Sequence, residues 1–137
     1  MYSEVVSAED LDIAARTVWG EARGEGFDGM VAVAHVIVNR AEKGGWRGDT
    51  LKRVCLKNWQ FSCWNKSDPN RSKLEGLPKH TPGYREALNA VALALVADND
   101  PTMGACHYHV AGLDPDWRDD SKITAKIHNH VFYAGID

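Results

Sequence analysis

The sequence contains no apolar run that approaches the roughly 20 residues needed to span a bilayer, so no transmembrane helix is expected. The N-terminus, MYSEVVSAEDLD, has neither a basic n-region nor an apolar h-region and does not match a secretory signal. There is no basic run, low-complexity tract or internal repeat, and the formal net charge is -3. This charge balance gives no electrostatic reason to expect a nucleic-acid partner.

Cysteine is scarce, with only Cys55, Cys63 and Cys106 present. An odd number argues against a complete disulfide framework. Cys55 and Cys63 could pair if a turn joined them, but synthesis without a secretory signal favours free thiols. Cys106 precedes His107, yet neighbours on a strand point to opposite faces, so a Cys-His catalytic pair is not favoured.

The composition, 44% hydrophobic and 26% charged over 137 residues, is typical of one globular domain. We therefore expect a single catalytic domain over residues 1–137, long enough to bury a core. Helical periodicity predicts long helices over residues 7–19, 27–43 and 81–98, of which the second is the most apolar and should be central. Gly20 is expected to end the first of them.

Between the second and third long helices the chain is polar and rich in aromatic residues. Residues 50–56 predict a short helix capped by Asp49, and residues 67–76 have turn chemistry and should be exposed. The segment 58–65 alternates amides with aromatic residues, Trp59 among them. This pattern suits a sugar-binding surface, and the alternative is that its aromatic residues anchor a long loop to the core.

The last third reads as strand and turn. Residues 105–110 alternate like a strand, residues 121–126 fit a short strand or turn, and residues 127–133 fit a further strand. A turn-rich loop, residues 112–120, carries Trp117. The predicted fold class is therefore α+β, mainly helical with a small antiparallel sheet in the C-terminal third.

Two His-X-His pairs in this region, His107 with His109 and His128 with His130, raise a metal-binding alternative. Residues two apart on a strand share a face, so paired strands would bring four imidazoles together, and imidazole is a good zinc ligand. A zinc-dependent hydrolase is thus the competing hypothesis, although no acidic residue lies at HEXXH-like spacing.

Two carboxylates, Glu21 and Glu25, occupy a glycine-rich link between the first two helices. A carboxyl group held there against Trp19 and the apolar second helix would be partly desolvated, which disfavours the charged form. An acid that stays protonated near neutral pH suits glycoside cleavage. The alternative is that both are solvated loop charges, with Glu25 favoured by the positive end of the next helix.

The link and its surroundings resemble a known family. The motif GEARGE followed by a small-residue helix ending in VNR is similar to the cell-wall hydrolases of the spore cortex-lytic (SleB/CwlJ) type. The resemblance continues through QFS at 60–62, DPT at 100–102 and NHVFY at 129–133, and so covers about residues 14–133. It implies a lysozyme-like fold and cleavage of peptidoglycan glycan strands by a lytic transglycosylase. It also implies that Glu21, the first glutamate of GEARGE, is the catalytic acid.

The resulting hypothesis is a glycosidase that cleaves the MurNAc-GlcNAc backbone. Glu21 would protonate the glycosidic oxygen, and its carboxylate would then take the proton of the sugar's C6 hydroxyl as that hydroxyl attacks C1, leaving 1,6-anhydro-MurNAc. Glu25 is the second catalytic candidate, either holding the link or acting as the second carboxylate of a hydrolase. This chemistry requires no metal and no organic cofactor. The substrate-binding candidates are Gln60, Ser62, Tyr108, Trp117, His130 and Tyr133.

The expected partner is the peptidoglycan glycan strand, bound by a monomer that engages neither nucleic acid nor membrane. Synthesis in the cytoplasm without a signal peptide, followed by action on the cell wall, would fit a phage endolysin released through membrane holes. It would equally fit a bacterial enzyme whose leader lies outside this sequence. The alternatives are a hydrolytic muramidase or glucosaminidase, the zinc-dependent hydrolase, and a glycan-binding module that uses the aromatic residues without Glu21.

Overall fold

The computed structural model describes residues 2–58 and 60–136. Helices occupy the first two thirds and a small sheet the last third, as the sequence predicted. The helices are α1 (Ala8–Ala22), α2 (Gly26–Lys43), α3 (Leu51–Leu56), α4 (Asn70–Glu75) and α5 (Pro82–Val96), and the strands are β1 (His107–Val110), β2 (Ile123–Ile127) and β3 (His130–Tyr133). Single 3-10 turns lie at Gly45–Arg47, Ser62–Trp64 and Asp120–Lys122. Within these described residues no helix combines the length and apolar character needed to cross a membrane.

Helix α1 begins as predicted and ends later than predicted. The Ser7 hydroxyl accepts from the Asp10 N–H at 3.0 Å, and the Asp10 carboxylate accepts from the Ser7 N–H, which forms a capping box. The prediction that Gly20 ends the helix was wrong. A Cβ at Gly20 would lie 3.0 Å from Leu74 Cδ2 and 3.1 Å from Cys63 Cβ, so glycine is required for close packing. Glycine inside a helix costs about 1 kcal/mol relative to alanine, and this packing offsets it.

Helix α2 is the buried centre of the domain. One face packs into the main core with α1, α3 and α5, while Ala32 and Val36 pack under the sheet against Ala105 and Phe132. The helix thereby joins the helical part to the sheet. Because α2 packs against both α1 and the sheet, it fixes the position of α1 relative to the sheet.

The C-terminal end of α2 fixes the start of β1. Asn39 Nδ2 donates to Asp100 Oδ2 at 2.8 Å and to the Ala105 carbonyl oxygen at 2.9 Å. The buried Arg40 donates from Nε to the Cys106 carbonyl oxygen at 2.7 Å. The VNR and DPT segments noted in the sequence are thus in direct contact.

The Asp100 carboxylate accepts several hydrogen bonds from the loop before β1. It accepts from the Thr102 N–H and hydroxyl, both at 2.7 Å, and from the Gly104 N–H at 2.9 Å. Burial alone would raise the pKa of Asp100, but hydrogen bonds from Asn39 and Thr102 outweigh it and lower the pKa. The carboxylate is therefore a charged anchor for the loop.

The strands form one antiparallel sheet in the order β1-β3-β2. Tyr108 pairs with Phe132 and Val110 with His130, so Tyr108 and His130 share the face that packs on α2. His109, paired with Val131, points to the opposite face. His128 lies in the turn between β2 and β3 with φ 48.

The arrangement of four converging imidazoles is therefore not formed. The pair His107/His109 and the single strand residue His130 lie on opposite faces of the sheet, and His128 lies outside the strands. Across residues 2–58 and 60–136, no group of three or more His, Cys, Asp or Glu side chains is placed to hold a metal ion.

Two further local predictions were wrong. The N-cap of α3 is Thr50, whose hydroxyl accepts from the Arg53 N–H at 3.1 Å, while Asp49 pairs with the Arg53 guanidinium. The segment 67–76 is mostly exposed, as expected, but it is not a simple turn, because it contains α4, whose Leu74 is fully buried. Arg16 of α1 holds this segment by donating to the Leu74 carbonyl oxygen at 2.7 Å. A six-residue helix with one buried side chain leaves no periodicity to detect.

Candidate active site

A short hydrogen bond joins Glu21 to Tyr108. Glu21 lies in the last turn of α1 and is half-buried, and the Tyr108 hydroxyl donates to its Oε1 at 2.6 Å. Burial, the charge of Glu21 and this hydrogen bond raise the pKa of Tyr108 well above its ordinary value. Tyr108 is therefore a fixed donor that stays protonated.

Cys63 is the closest neighbour of Glu21 that sequence reasoning missed. Burial raises the pKa of the Cys63 thiol, and the charge of Glu21 and a hydrogen bond to it raise it further. The thiol is therefore neutral and lies against the carboxyl group, where Gly20 allows the close approach. All three cysteines are free and buried, in agreement with the preference for free thiols.

Arg40 places a buried positive charge on the core side of the same site. Burial lowers its pKa, and the charges of Tyr108, Cys106, Cys55 and Glu21 act against that decrease. Its guanidinium lies over the Phe61 ring at 4.8 Å. Because arginine stays charged in proteins, Arg40 favours negative charge on Glu21 after proton transfer.

Glu25 is bound by the turn between β2 and β3. Asn129 donates from its backbone N–H to Oε1 at 2.9 Å and from Nδ2 to Oε2 at 3.0 Å, so both carboxylate oxygens are occupied. The side chain of Glu25 is only 11% exposed and makes no cap bond to α2, although Glu25 is its N-cap residue. The alternative of a solvated charge at the helix start is therefore wrong for Glu25. Asn129 was part of the recognised NHVFY segment, but its contact with Glu25 could not be inferred.

His130 lies between the two carboxylates. Its Nδ1 is 3.6 Å from Glu25 Oε1, and its ring meets the Tyr108 ring edge-on at 4.9 Å. Burial lowers the pKa of His130, while the charges of Glu25 and Glu21 oppose the decrease. A histidine with a lowered pKa is neutral at pH 7. The fold thus brings together four of the sequence candidates: Glu21, Glu25, Tyr108 and His130.

Trp117 and Tyr133 do not join them. Tyr133 is fully buried on the opposite face of the sheet, where its hydroxyl lies 2.7 Å from His109 Nε2. His109 Nδ1 is 2.8 Å from the Val110 carbonyl oxygen, which can only accept, so Nδ1 carries a proton and donates to that oxygen. The Trp117 ring packs on Tyr133 at 5.1 Å. Grouping these two residues with Glu21 was wrong. Strand alternation places Tyr133 on the opposite face of the sheet, and Trp117, in the loop between β1 and β2, packs against Tyr133 there.

Trp19 also points away from Glu21. Residues two apart on a helix lie on different sides. The Trp19 indole lies so close to Gly83 of α5 that a Cβ there would be 2.8 Å from Nε1, and the Arg23 guanidinium lies 4.2 Å above the indole ring. The expected shielding of Glu21 by Trp19 is replaced by Cys63 and Tyr108.

The loop before α4 lies beside this site. Gln60 is half-buried, Ser62 is exposed at the start of a 3-10 turn, and Trp59 lies outside the described residues. Phe61 is buried under Arg40, and Trp64 Nε1 donates to Thr17 Oγ1 at 2.8 Å. The anchoring interpretation is therefore correct for these two aromatic residues. Substrate binding by Gln60 and Ser62 stays a prediction.

Comparison with known proteins gives a consistent assignment. The family model described as Cell Wall Hydrolase matches residues 24–133, which includes Glu25 and begins just after Glu21. A spore cortex-lytic enzyme of Oceanobacillus iheyensis is 56% identical over 56 residues, 41% of this chain and 20% of the relative. A spore cortex-lytic enzyme of Halalkalibacterium halodurans is 29% identical over 131 residues, 92% of this chain and 35% of the relative. The chain thus spans only a minor part of the length of these relatives.

Two solved structures share the fold along nearly their whole length. The catalytic domain of the germination-specific lytic transglycosylase SleB from Bacillus anthracis superposes with a TM-score of 0.73 at 27% identity, covering 96% of this chain and 98% of that domain. The catalytic domain of Bacillus cereus SleB gives a TM-score of 0.75 at 27% identity, covering 96% and 94%. The α+β fold is therefore that of these catalytic domains.

Proposed function

This chain belongs to the cell wall hydrolase family, and we propose that it is a lytic transglycosylase that cleaves the MurNAc-GlcNAc backbone of peptidoglycan. The observation that carries the proposal is the bond between Glu21 and Tyr108. It holds Oε1 of a half-buried carboxyl group and so fixes the orientation in which that group would meet a glycosidic oxygen. The name of the solved Bacillus anthracis relative, a lytic transglycosylase, supports the same reaction class.

Glu21 would act first as an acid and then as a base. Its Oε2 proton passes to the glycosidic oxygen as the bond to C1 of the muramic acid breaks, and GlcNAc leaves with a free hydroxyl group. The C6 hydroxyl of the same muramic acid then attacks C1 and gives its proton back to Glu21. Tyr108 donates to Oε1 throughout, and Arg40 favours the carboxylate that exists between the two proton transfers. No metal or organic cofactor is required.

The environment of Glu25 favours internal attack over attack by water. A hydrolase needs a second carboxylate that can activate water. Glu25 is only 11% exposed and both of its oxygens accept from Asn129, so its access to water is restricted. Mass spectrometry of the soluble products from purified peptidoglycan tests the proposal. Anhydro-muropeptides support it, and muropeptides with reducing ends would replace it with a muramidase or glucosaminidase.

Replacing Tyr108 by phenylalanine should lower kcat by about 10- to 100-fold, the worth of one hydrogen bond to a charged group. KM should change little, because the bond acts on Glu21 rather than on the bound sugar. The matched control is Tyr84→Phe, which removes a 2.8 Å hydroxyl–carboxylate bond to Asp12 away from the site. Equal effects of the two substitutions on kcat would remove Tyr108 from the mechanism.

Replacing Glu25 by glutamine should leave the product as the anhydro sugar. It should lower the free energy of unfolding by about 1 kcal/mol, because the new amide places N–H groups against an Asn129 donor. Asp28→Asn is the control, since it weakens the contact of the same turn with α2 through His128 without altering Glu25. Reducing-end products from the wild type that disappear only in Glu25→Gln would assign Glu25 as the base of a hydrolase.

The wider biological use stays a prediction. We propose that the glycan strands of the cell wall are the partner, that the protein acts as a monomer, and that it serves cell-wall lysis, as a phage endolysin does. Clearing of a suspension of purified walls tests lysis, and sedimentation equilibrium tests the oligomeric state.

A further inference from the structure

A cavity of about 480 Å³ opens beside the loop that carries Cys63. It is lined by Asn58, Trp64, Asn65, Lys66, Ser67 and Arg71. Of the described residues around it, two are cationic and none is acidic, although the chain as a whole has a net charge of -3. The amide and hydroxyl groups add hydrogen-bond donors and acceptors. This lining suits an acidic ligand with polar groups.

The cavity lies next to Glu21 along α1. Trp64, in its wall, donates from Nε1 to Thr17 Oγ1 at 2.8 Å. Thr17 and Glu21 are four residues apart in the same helix, so they share one side and are separated by about one turn, roughly 5.4 Å. Cys63, which precedes Trp64, lies against Glu21. A glycan strand cleaved at Glu21 would therefore carry its substituents to this cavity.

The two cationic side chains of the cavity, Arg71 and Lys66, differ in whether they are bound to other groups of the protein. Arg71 donates to Glu75 Oε1 at 2.8 Å and to the Trp64 carbonyl oxygen at 3.1 Å, so it is held within the wall of the cavity. Lys66 is exposed and makes no ion pair within the part of the chain that the structure describes. Its ammonium group is thus the one of these two cations that can form an ion pair with a ligand.

We propose that this cavity binds a carboxylate of the peptide stem attached to N-acetylmuramic acid, with Lys66 as the principal contact. The inference rests on the proposed function, and it makes peptide-substituted glycan the preferred substrate. The lactyl side chain of muramic acid bears the stem, and stem peptides contain free carboxyl groups. Binding of this kind acts equally on the ground and transition states, so it lowers KM rather than raising kcat.

The test compares soluble glycan fragments whose stems keep their free carboxyl groups with the same fragments after these groups have been amidated. Lys66→Gln should raise KM for the free-carboxyl fragments about fivefold, as expected for one partly exposed ion pair, with kcat unchanged. KM for the amidated fragments should not change. Lys73→Gln on α4, an exposed lysine outside the cavity wall, is the matched control.

Equal effects of Lys66→Gln on both substrates, or no effect on either, would overturn the inference, because the stem carboxylates would then not be bound at Lys66. Failure of the proposed function is distinguishable, because binding can be measured by calorimetry in a Glu21→Gln background without turnover. If the wild type cleaves neither substrate, tighter binding of the free-carboxyl fragments that Lys66→Gln removes would still support the cavity, and equal binding of the free-carboxyl and amidated fragments would reject it.

Discussion

Replacing Glu21 by glutamine should lower kcat on peptidoglycan by about 10³-fold or more, since a single positioned acid and base contributes about 10² to 10⁴ in rate. Glutamine keeps an oxygen that can accept from Tyr108, so the packing around Cys63 and Tyr108 should persist. It cannot give a proton to the glycosidic oxygen. Soluble anhydro-muropeptides should therefore be formed by the wild type and be almost absent with the variant.

Glu86→Gln provides the control, because Glu86 is exposed on α5 away from the site. Thermal unfolding followed by circular dichroism should give similar melting temperatures for the wild type and both variants. Activity of Glu21→Gln within tenfold of the wild type would mean that another group supplies the proton. Loss of turnover with full retention of glycan binding would exclude the alternative of a binding module, which requires no catalytic acid.

Replacing Asp100 by alanine should lower the free energy of unfolding by about 3 kcal/mol, because hydrogen bonds to a charged group are worth roughly 1.5–3 kcal/mol and buried donors lose their acceptor. Four donors reach this carboxylate, from Asn39, Thr102 and Gly104. Chemical denaturation should show the loss as a lower midpoint with an unchanged slope. Asp98→Ala, at an exposed position two residues earlier, should change the midpoint little.

The pH dependence gives Asp100→Ala a second signature. The folded pKa of Asp100 lies below its unfolded value, so the unfolded chain binds the proton more readily. Its contribution to stability is therefore complete above the unfolded pKa of about 4 and is lost as the pH falls through the folded pKa. The difference between wild type and variant should shrink over that acidic range. A difference that stays constant with pH would mean that Asp100 stabilises the loop without its charge.

Elements with strong local signals were predictable from sequence. The predicted starts of the first and third long helices, at residues 7 and 81, are confirmed. Ser7 with Asp10 caps the first and Thr81 before Pro82 caps the third, by chemistry contained in a few neighbouring residues. Gly20 was misleading for the opposite reason. Its use depends on Cys63 and Leu74, which are distant in the chain. The rule that glycine ends a helix considers only neighbouring residues, so it cannot predict contacts with residues that are distant in the chain.

The site was predictable in its residue types and only partly in its contacts. Glu21 and Glu25 were marked by their motif, but only the fold shows their different partners, Tyr108 for Glu21 and Asn129 for Glu25. The histidine pairs show how sensitive such inferences are to register. Whether β2 ends at Ile127 or one residue later decides whether His128 lies in a turn or on a face of the sheet, and sequence alone does not fix it.

The long chain separation within the site has a consequence for biosynthesis. Glu21 and Tyr108 are 87 positions apart, and Glu25 and Asn129 are 104 apart. N-terminal segments emerge from the ribosome first, so the helices can begin to pack while the later strands are still being made. A nascent chain of this kind carries Glu21 without its hydrogen-bond donor and Glu25 without its anchor. Catalytic competence therefore arrives late in synthesis, once β3 has emerged and paired with β1.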